Sequence, residues 1–266
     1  MKLSFSTVGC PDWPWKDIIS SAADFGFQGV EIRGVGRQLD APFIPAFSPE
    51  KAQETKAQLA KMHLEIPVLA SSVLLNSPDP GMLELGRQYI DTAERIGAKY
   101  IRLLADEGVR PQPVDMARVA AHCSELAEYA DGKPVTLLIE TNGAFADSER
   151  LLKLLNHVKR DNVGVLWDIH HPFRIMGEPM RITYKALARY IRHTHIKDSV
   201  VEGDRIVYKP VGEGTLPVQE CVRMLRRDGY DGYFSLEWVR RWEPTLEAPG
   251  VVFSRYLRTM RRWDGQ

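Results

Sequence analysis

The chain has 266 residues, with 35 Lys plus Arg against 35 Asp plus Glu, and 44% of its residues are hydrophobic. That length and apolar content suffice for a sizeable core in a single domain of barrel size spanning residues 1–266. A formal net charge of zero supplies no global field for nucleic acid or an anionic membrane, and the three cysteines, Cys10, Cys123 and Cys221, match no metal or redox spacing.

In chain order the pattern alternates strand and helix without a long linker or a low-complexity tract. Leu3–Thr7 reads as strand one, and Trp13–Phe25 as a helix that Gly26 stops. Gln28–Arg33 is strand two, followed by a Gly- and Pro-rich loop from Gly34 to Pro45. Ser48-Pro49-Glu50 opens the next helix, a capping serine before a first-turn proline. Glu65–Ala70 is strand three, and the loop after it carries Ser71, Ser72 and Asn76. A helix over Met82–Ile96 ends at Gly97, Lys99–Leu104 is strand four, and Val114–Ala130 is helical.

Strand five, Val135–Glu140, precedes a helix opened by Asp147-Ser148-Glu149. Strand six, Val163–Asp168, leads into a loop holding His170, His171 and Pro172. A helix over Arg181–Tyr190 precedes strand seven, His193–Lys197, and Asp198–Pro210 reads as a hairpin excursion. Pro217–Arg227 is helical, Asp231–Glu237 is strand eight, and Ala248–Arg262 is a closing helix. Strand–helix alternation demands right-handed crossovers and hence a parallel sheet. Eight repeats in this length predict a single (β/α)8 TIM barrel. No Gly-x-Gly-x-x-Gly follows strand one, so the doubly wound nucleotide-binding alternative lacks its main signal.

Four of the strands share an ending. Val135–Glu140, Val163–Asp168, His193–Lys197 and Tyr233–Glu237 are apolar runs closed by ligand-type residues. In a barrel all strands point their C-terminal ends at one face, so Glu140, Asp168, His195 and Glu237 converge there. Three buried carboxylates together repel one another and resist ionising unless a cation joins them. One imidazole with three carboxylates is a hard to borderline donor set. It suits Mn²⁺ first and admits Mg²⁺, Co²⁺ or Zn²⁺.

The motifs Gly26-Phe27-Gln28-Gly29-Val30-Glu31, Ile139-Glu140, Trp167-Asp168-Ile169-His170-His171, His193-Thr194-His195-Ile196-Lys197-Asp198, Gly212-Glu213-Gly214 and Leu236-Glu237 resemble those of the xylose isomerase-like TIM barrels, a group of sugar phosphate isomerases and epimerases. The resemblance implies that Glu140, Asp168, His195 and Glu237 hold the metal. It further implies that the two glutamates act as acid and base on opposite faces of the substrate, and that His171 contacts a substrate oxygen. Position 146 is alanine where the ketose epimerases of the group carry glutamate, and position 201 is valine where they carry arginine. Lys197, two after the histidine ligand, resembles the dehydroshikimate dehydratases of the same barrel, which carry a histidine where this chain has Asn142.

The chemistry expected of such a site is proton abstraction beside a carbonyl, with Glu140 and Glu237 moving the proton and Lys197 or His171 stabilising the negative charge on oxygen. The expected activity is therefore isomerisation or epimerisation of a small sugar or polyol ketone. Expulsion of a β-hydroxyl by the same site, as in a dehydroshikimate or inosose dehydratase, is the alternative. Arg102 is a candidate substrate clamp or a barrel-layer salt bridge. Glu31 and Arg33 are candidates for lining the pocket or for pairing with each other, and Asn142 and Trp242 are further candidates for substrate contact. Trp13, Trp15 and Trp238 also fall near strand ends, where packing competes with pocket shaping, and His63, His122 and His157 fall on helices. The expected partner is a small molecule in the cytoplasm, with no nucleic acid and no membrane. Arg and Trp residues near the C-terminus leave a homo-oligomer open.

Overall fold

Strand β6 (Val163–Asp168) is buried at every position, as expected of a strand covered on both faces. The same holds along most of β1 (Lys2–Ser6), β2 (Gly29–Glu31), β3 (Val68–Leu74), β4 (Tyr100–Leu104), β5 (Thr136–Glu140) and β7 (Ile191–Ile196). A hairpin of β8 (Asp198–Glu202) and β9 (Arg205–Lys209) follows, and the last strand is β10 (Tyr233–Leu236). Helices α1 (Trp15–Phe25), α2 (Ala52–Lys61), α3 (Gly81–Ile96), α4 (Met116–Tyr129), α5 (Ser148–Val158), α6 (His170–Ile175), α7 (Met180–Leu187), α8 (Val218–Arg227) and α9 (Pro249–Asp264) alternate with them. This computed structural model describes residues 1–265.

Eight strands form one parallel sheet in the order β2-β1-β10-β7-β6-β5-β4-β3. Parallel bridges Gly29–Glu65 and Ile32–Leu69 join its two edges, and backbone bonds such as Ile32 N–H to the Val68 carbonyl complete the seam. The result is a nearly closed (β/α)8 TIM barrel. The main apolar cluster fills the space between strands and helices, while Val68, Tyr100, Leu138 and Leu166 form a separate small cluster.

Side chains two apart on a strand share a face. Tyr100 therefore lies below Arg102, Leu138 below Glu140 and Leu166 below Asp168. The lumen is plugged by an apolar layer, and the polar layer sits one step nearer the C-terminal mouth.

Three differences from expectation exceed two residues or change the type of element. Strand three begins at Val68 rather than Glu65, because Pro67 has no N–H to give the ladder. Ser71 and Ser72 consequently lie in the strand, where the Ser71 hydroxyl donates to the Arg102 carbonyl beside a register shift. The second helix starts at Ala52 rather than at Ser48; residues 49–51 form a turn in which the Ser48 carbonyl accepts from Lys51 and Ala52 N–H. The segment after Asp168 is not a loop but α6, with Pro172 in its first turn, where a missing N–H costs nothing. The ends Gly26 (φ 82°) and Gly97 (φ 79°) adopt the left-handed conformation that stops α1 and α3 as the sequence predicts. Among the described residues no helix is long and apolar enough to cross a membrane.

The β8–β9 hairpin stands at the mouth, anchored by one carboxylate. Asp198 Oδ1 accepts the Ser199 and Leu216 N–H groups, and Oδ2 accepts those of Gly212 and Gly214. This ties the hairpin base to the segment leading into α8, and it brings Tyr208 over His170 with ring centroids 5.3 Å apart.

Candidate active site

Asp168 and His195 are paired in register on β6 and β7, and Ser235 is paired with His195 on β10. Glu140 ends β5 and Glu237 follows β10, so the two glutamates face each other across β6 and β7. Glu140, Asp168, His195 and Glu237 each offer a ligand atom, all within 4.8 Å of one another. His195 Nδ1 lies 3.5 Å from Glu140, 3.7 Å from Asp168 and 3.5 Å from Glu237. Those separations match donor atoms sharing one small cation, which stand roughly 3–4 Å apart at usual bond lengths.

The orphaned atoms point the same way. Asp168 Oδ2 and His195 Nδ1 are buried and make no hydrogen bond, although Lys197 Nζ lies 2.6 Å from that oxygen as an ion pair. No cysteine joins the set; Cys10, Cys123 and Cys221 are buried elsewhere as free thiols. The donor set and its unpartnered atoms fit a hard divalent cation.

Burial opposes ionisation of Glu140, but Arg102 and then His195 outweigh it and hold the carboxyl below its ordinary range. Burial likewise opposes ionisation of Asp168, and His171 and Lys197 hold it well below. For His195, burial favours the neutral ring, yet Glu31 and Glu237 push its pKa well above the usual value. The centre of this ring of groups is therefore a place where the protein's own field stabilises positive charge.

Glu31 lies beneath the ring rather than on the pocket wall. It is fully buried, and its carboxylate accepts from His195 Nε2 at 3.0 and 2.9 Å, from His193 Nε2 at 3.0 Å and from the Ser235 hydroxyl at 3.2 Å. The expectation that Glu31 lines the pocket or pairs with Arg33 is corrected accordingly. With a carboxylate as acceptor, each Nε2 must carry the hydrogen, so Nδ1 is the His195 nitrogen left to offer a lone pair to a cation that displaces its proton. A carboxylate behind a ligating imidazole fixes tautomer and orientation, and losing such a partner typically costs about 10–100-fold in metal affinity. Where the ring holds a divalent cation, Glu31→Gln is expected to weaken its binding by that factor in calorimetric titration, and unchanged affinity would refute this role.

A cavity of about 620 Å³ opens above the ring, within the span usual for small-molecule sites. Glu140, Glu237, His171, Lys197, Arg33, Arg102, Asn142 and Trp242 all reach its wall. Arg102 Nε lies 3.3 Å from Glu140 Oε2, so it is both wall and salt bridge. Lys197 Nζ is fully buried, donates to Glu237 and lies 3.4 Å from His171 Nε2. Asn142 Oδ1 is buried without a partner. Trp13 packs on Phe253, Trp15 on Phe47, and Trp238 donates to the Glu247 carbonyl, so of the four tryptophans near strand ends Trp242 alone meets the cavity. His122 is structural, its Nδ1 lying 2.9 Å from the Leu75 carbonyl.

Sequence reasoning missed two groups. Tyr208 reaches the wall from the hairpin, and only the hairpin's fold-back could place it there. His193 joins His195 on Glu31. Its signal was present in the spacing, because His193 and His195 must share a strand face. A larger surface groove of about 1000 Å³ lies between α7 and α8, lined by Arg181, Tyr184, Arg223 and Arg227, and it contains none of the ring residues.

Comparison with known proteins agrees with this geometry at the level of family and fold. The sequence profile described as "Xylose isomerase-like TIM barrel" matches residues 19–256. The chain is 27% identical to fructoselysine 3-epimerase of Shigella flexneri, over 93% of this chain and 94% of that protein. Two solved structures share the fold. D-psicose 3-epimerase of Clostridium cellulolyticum H10, solved with D-tagatose, has a TM-score of 0.79 at 18% identity, covering 98% of this chain and 99% of the other. The probable 3-DHS dehydratase of Bacillus anthracis involved in petrobactin synthesis has a TM-score of 0.77 at 19% identity, covering 98% and 99%.

Proposed function

Because the chain belongs to the xylose isomerase-like TIM barrel family, we propose that it is an enzyme that epimerises or isomerises a polyhydroxy ketone with the help of one divalent cation, Mn²⁺ by preference. The observation that carries this reading is the pair Glu140 and Glu237, on opposite sides of one cavity and joined below by Asp168 and His195. The kinship with fructoselysine 3-epimerase supports a ketose, and the oxygen-rich ligand set supports Mn²⁺ over a thiolate-seeking metal.

Glu140, Asp168, His195 and Glu237 would hold the ion, which supplies Lewis-acid stabilisation of negative charge on the substrate's carbonyl oxygen when bound. The rest falls to the side chains. One glutamate carboxylate takes the proton from the carbon beside the carbonyl, and the C–H electron pair moves onto the carbonyl oxygen. The other glutamate returns a proton from the opposite face, which inverts that carbon; return to the former carbonyl carbon, with a proton passing from the adjacent hydroxyl to the former carbonyl oxygen, moves the carbonyl instead. Lys197 is cationic, since Asp168 and Glu237 outweigh its burial and hold its pKa well above the usual value. It therefore steadies the Glu237 carboxylate and favours charge developing on a nearby oxygen. Burial depresses the His171 pKa, so His171 offers a neutral imidazole to a substrate hydroxyl. Asn142, Arg102, Arg33 and Trp242 complete the proposed substrate contacts.

The test is solvent exchange. Protein loaded with Mn²⁺ and incubated with ketohexoses in D₂O is expected to return ketose carrying deuterium beside the carbonyl, and chelation is expected to stop it. Product analysis separates epimer or isomer from an anhydro product, which would assign the lyase chemistry suggested by Lys197. Ketose recovered without deuterium from metal-loaded protein would overturn the reading.

A further inference from the structure

Matching ion pairs around the cavity leaves one cation without a partner. Arg102 is matched by Glu140, and Lys197 by Asp168 and Glu237. Arg33 lines the same cavity and makes no ion pair among the described residues. Its position is nonetheless built. Its backbone N–H donates to the Thr7 hydroxyl, its Nη1 donates to the Leu39 carbonyl at 3.3 Å, and its guanidinium lies 5.9 Å from the Trp242 ring centroid. One nitrogen is thus committed, and Trp242 supports the plane. The remaining donors make no hydrogen bond among the described residues and keep the fork arrangement that matches a carboxylate.

Holding such a group half-buried costs free energy, because an unpaired charge loses solvation without gaining a partner. Burial depresses the Arg33 pKa, and the neighbouring charge of Arg102 depresses it further. Two guanidiniums close enough to repel each other across one wall form a site that an anion relieves. Asp40 offsets this in part through its charge, but it accepts from the Tyr89 hydroxyl and makes no ion pair with Arg33. The wall's other carboxylates, Glu107 and Glu243, are exposed at the rim and make no ion pair with Arg33.

We propose that Arg33, backed by Trp242, is an anion subsite that selects a ketose bearing a carboxylate away from its carbonyl. This inference rests on the ketose reading above and adds the chemical class of the remainder of the substrate. Ala146 and Val201 accord with it. Ala146 is fully buried and Val201 is exposed on the hairpin, so neither adds a polar group to the cavity, and the charged recognition there falls to the arginines.

The test compares D-fructose with D-fructuronate, the same ketose with a terminal carboxylate in place of the primary alcohol. Binding to the Mn²⁺-loaded protein is measured by calorimetry and exchange by deuterium incorporation. The wild type is expected to bind D-fructuronate at least tenfold more tightly than D-fructose. In Arg33→Met, which keeps the stem against Trp242, that ratio is expected to fall toward one through KM rather than kcat, and Arg33→Lys is expected to restore part of it. Equal affinity for the two ketoses in the wild type, or a ratio that survives in Arg33→Met, overturns the subsite. Failure of both ketoses to exchange overturns the proposed reaction instead, and the binding ratio still judges Arg33.

Discussion

Glu237→Gln is expected to lower kcat for solvent exchange by about 10²–10⁴-fold, the usual worth of a positioned proton carrier, and Glu140→Gln to do the same. Glutamine keeps the shape and one acceptor but cannot carry the proton at the oxygen that needs it. The two substitutions differ in what they leave behind. Lys197 loses Glu237 but keeps Asp168 at 2.6 Å, whereas Arg102 loses its carboxylate within a buried layer. Glu140→Gln is therefore expected to lower thermal stability as well, and Glu237→Gln to lower activity with little loss of stability. Metal content measured alongside kcat separates loss of the ion from loss of the base. A variant that retains metal and more than a tenth of the wild-type kcat would remove that glutamate from the proton path.

Phe253→Ala is expected to destabilise the fold by about 3–5 kcal/mol, the range for truncating a buried aromatic side chain, and to lower Tm by on the order of 10 °C. Phe253 is fully buried on α9. It stacks on Phe5 of β1 with centroids 4.3 Å apart and meets Phe27, Trp13 and Phe25 at 6.0, 5.9 and 6.4 Å. One ring thus ties the closing helix to the first strand and the first helix, the place where the two ends of the chain meet. The cavity left behind is walled by rigid rings that cannot collapse into it, which places the cost toward the upper part of the range. A loss below 1 kcal/mol in denaturant unfolding would show that Phe253 is not what fastens α9 to the first strand and helix.

The order of elements could be read from the chain because hydrophobic periodicity is local. Apolar runs such as Val163–Asp168 recur between amphipathic stretches, and right-handed crossovers leave a ring of parallel strands as the solution. The same logic makes Glu140, Asp168, His195 and Glu237 neighbours from the chain alone, since every strand of a ring ends at one rim. Where local signals were weak, boundaries moved. Pro67 delayed a strand whose apolar residues begin earlier, and a six-residue helix over His170–Ile175 was too short to show a period.

Depth within the lumen was not local. Glu31 ends its strand as Glu140 does, and the chain alone places both at the mouth. The stagger between strands, which depends on closure of the whole ring, sets Glu31 a layer lower, where it meets His193, His195 and Ser235. Arg33, two residues on, rises one step to the cavity wall beside a tryptophan more than 200 positions away in sequence. Sequence alone determined which residue types reach the rim, because alternation is written in neighbouring side chains. Only the tertiary structure decided which of them face the cavity and which stand behind, because that depends on registers between strands distant in the chain.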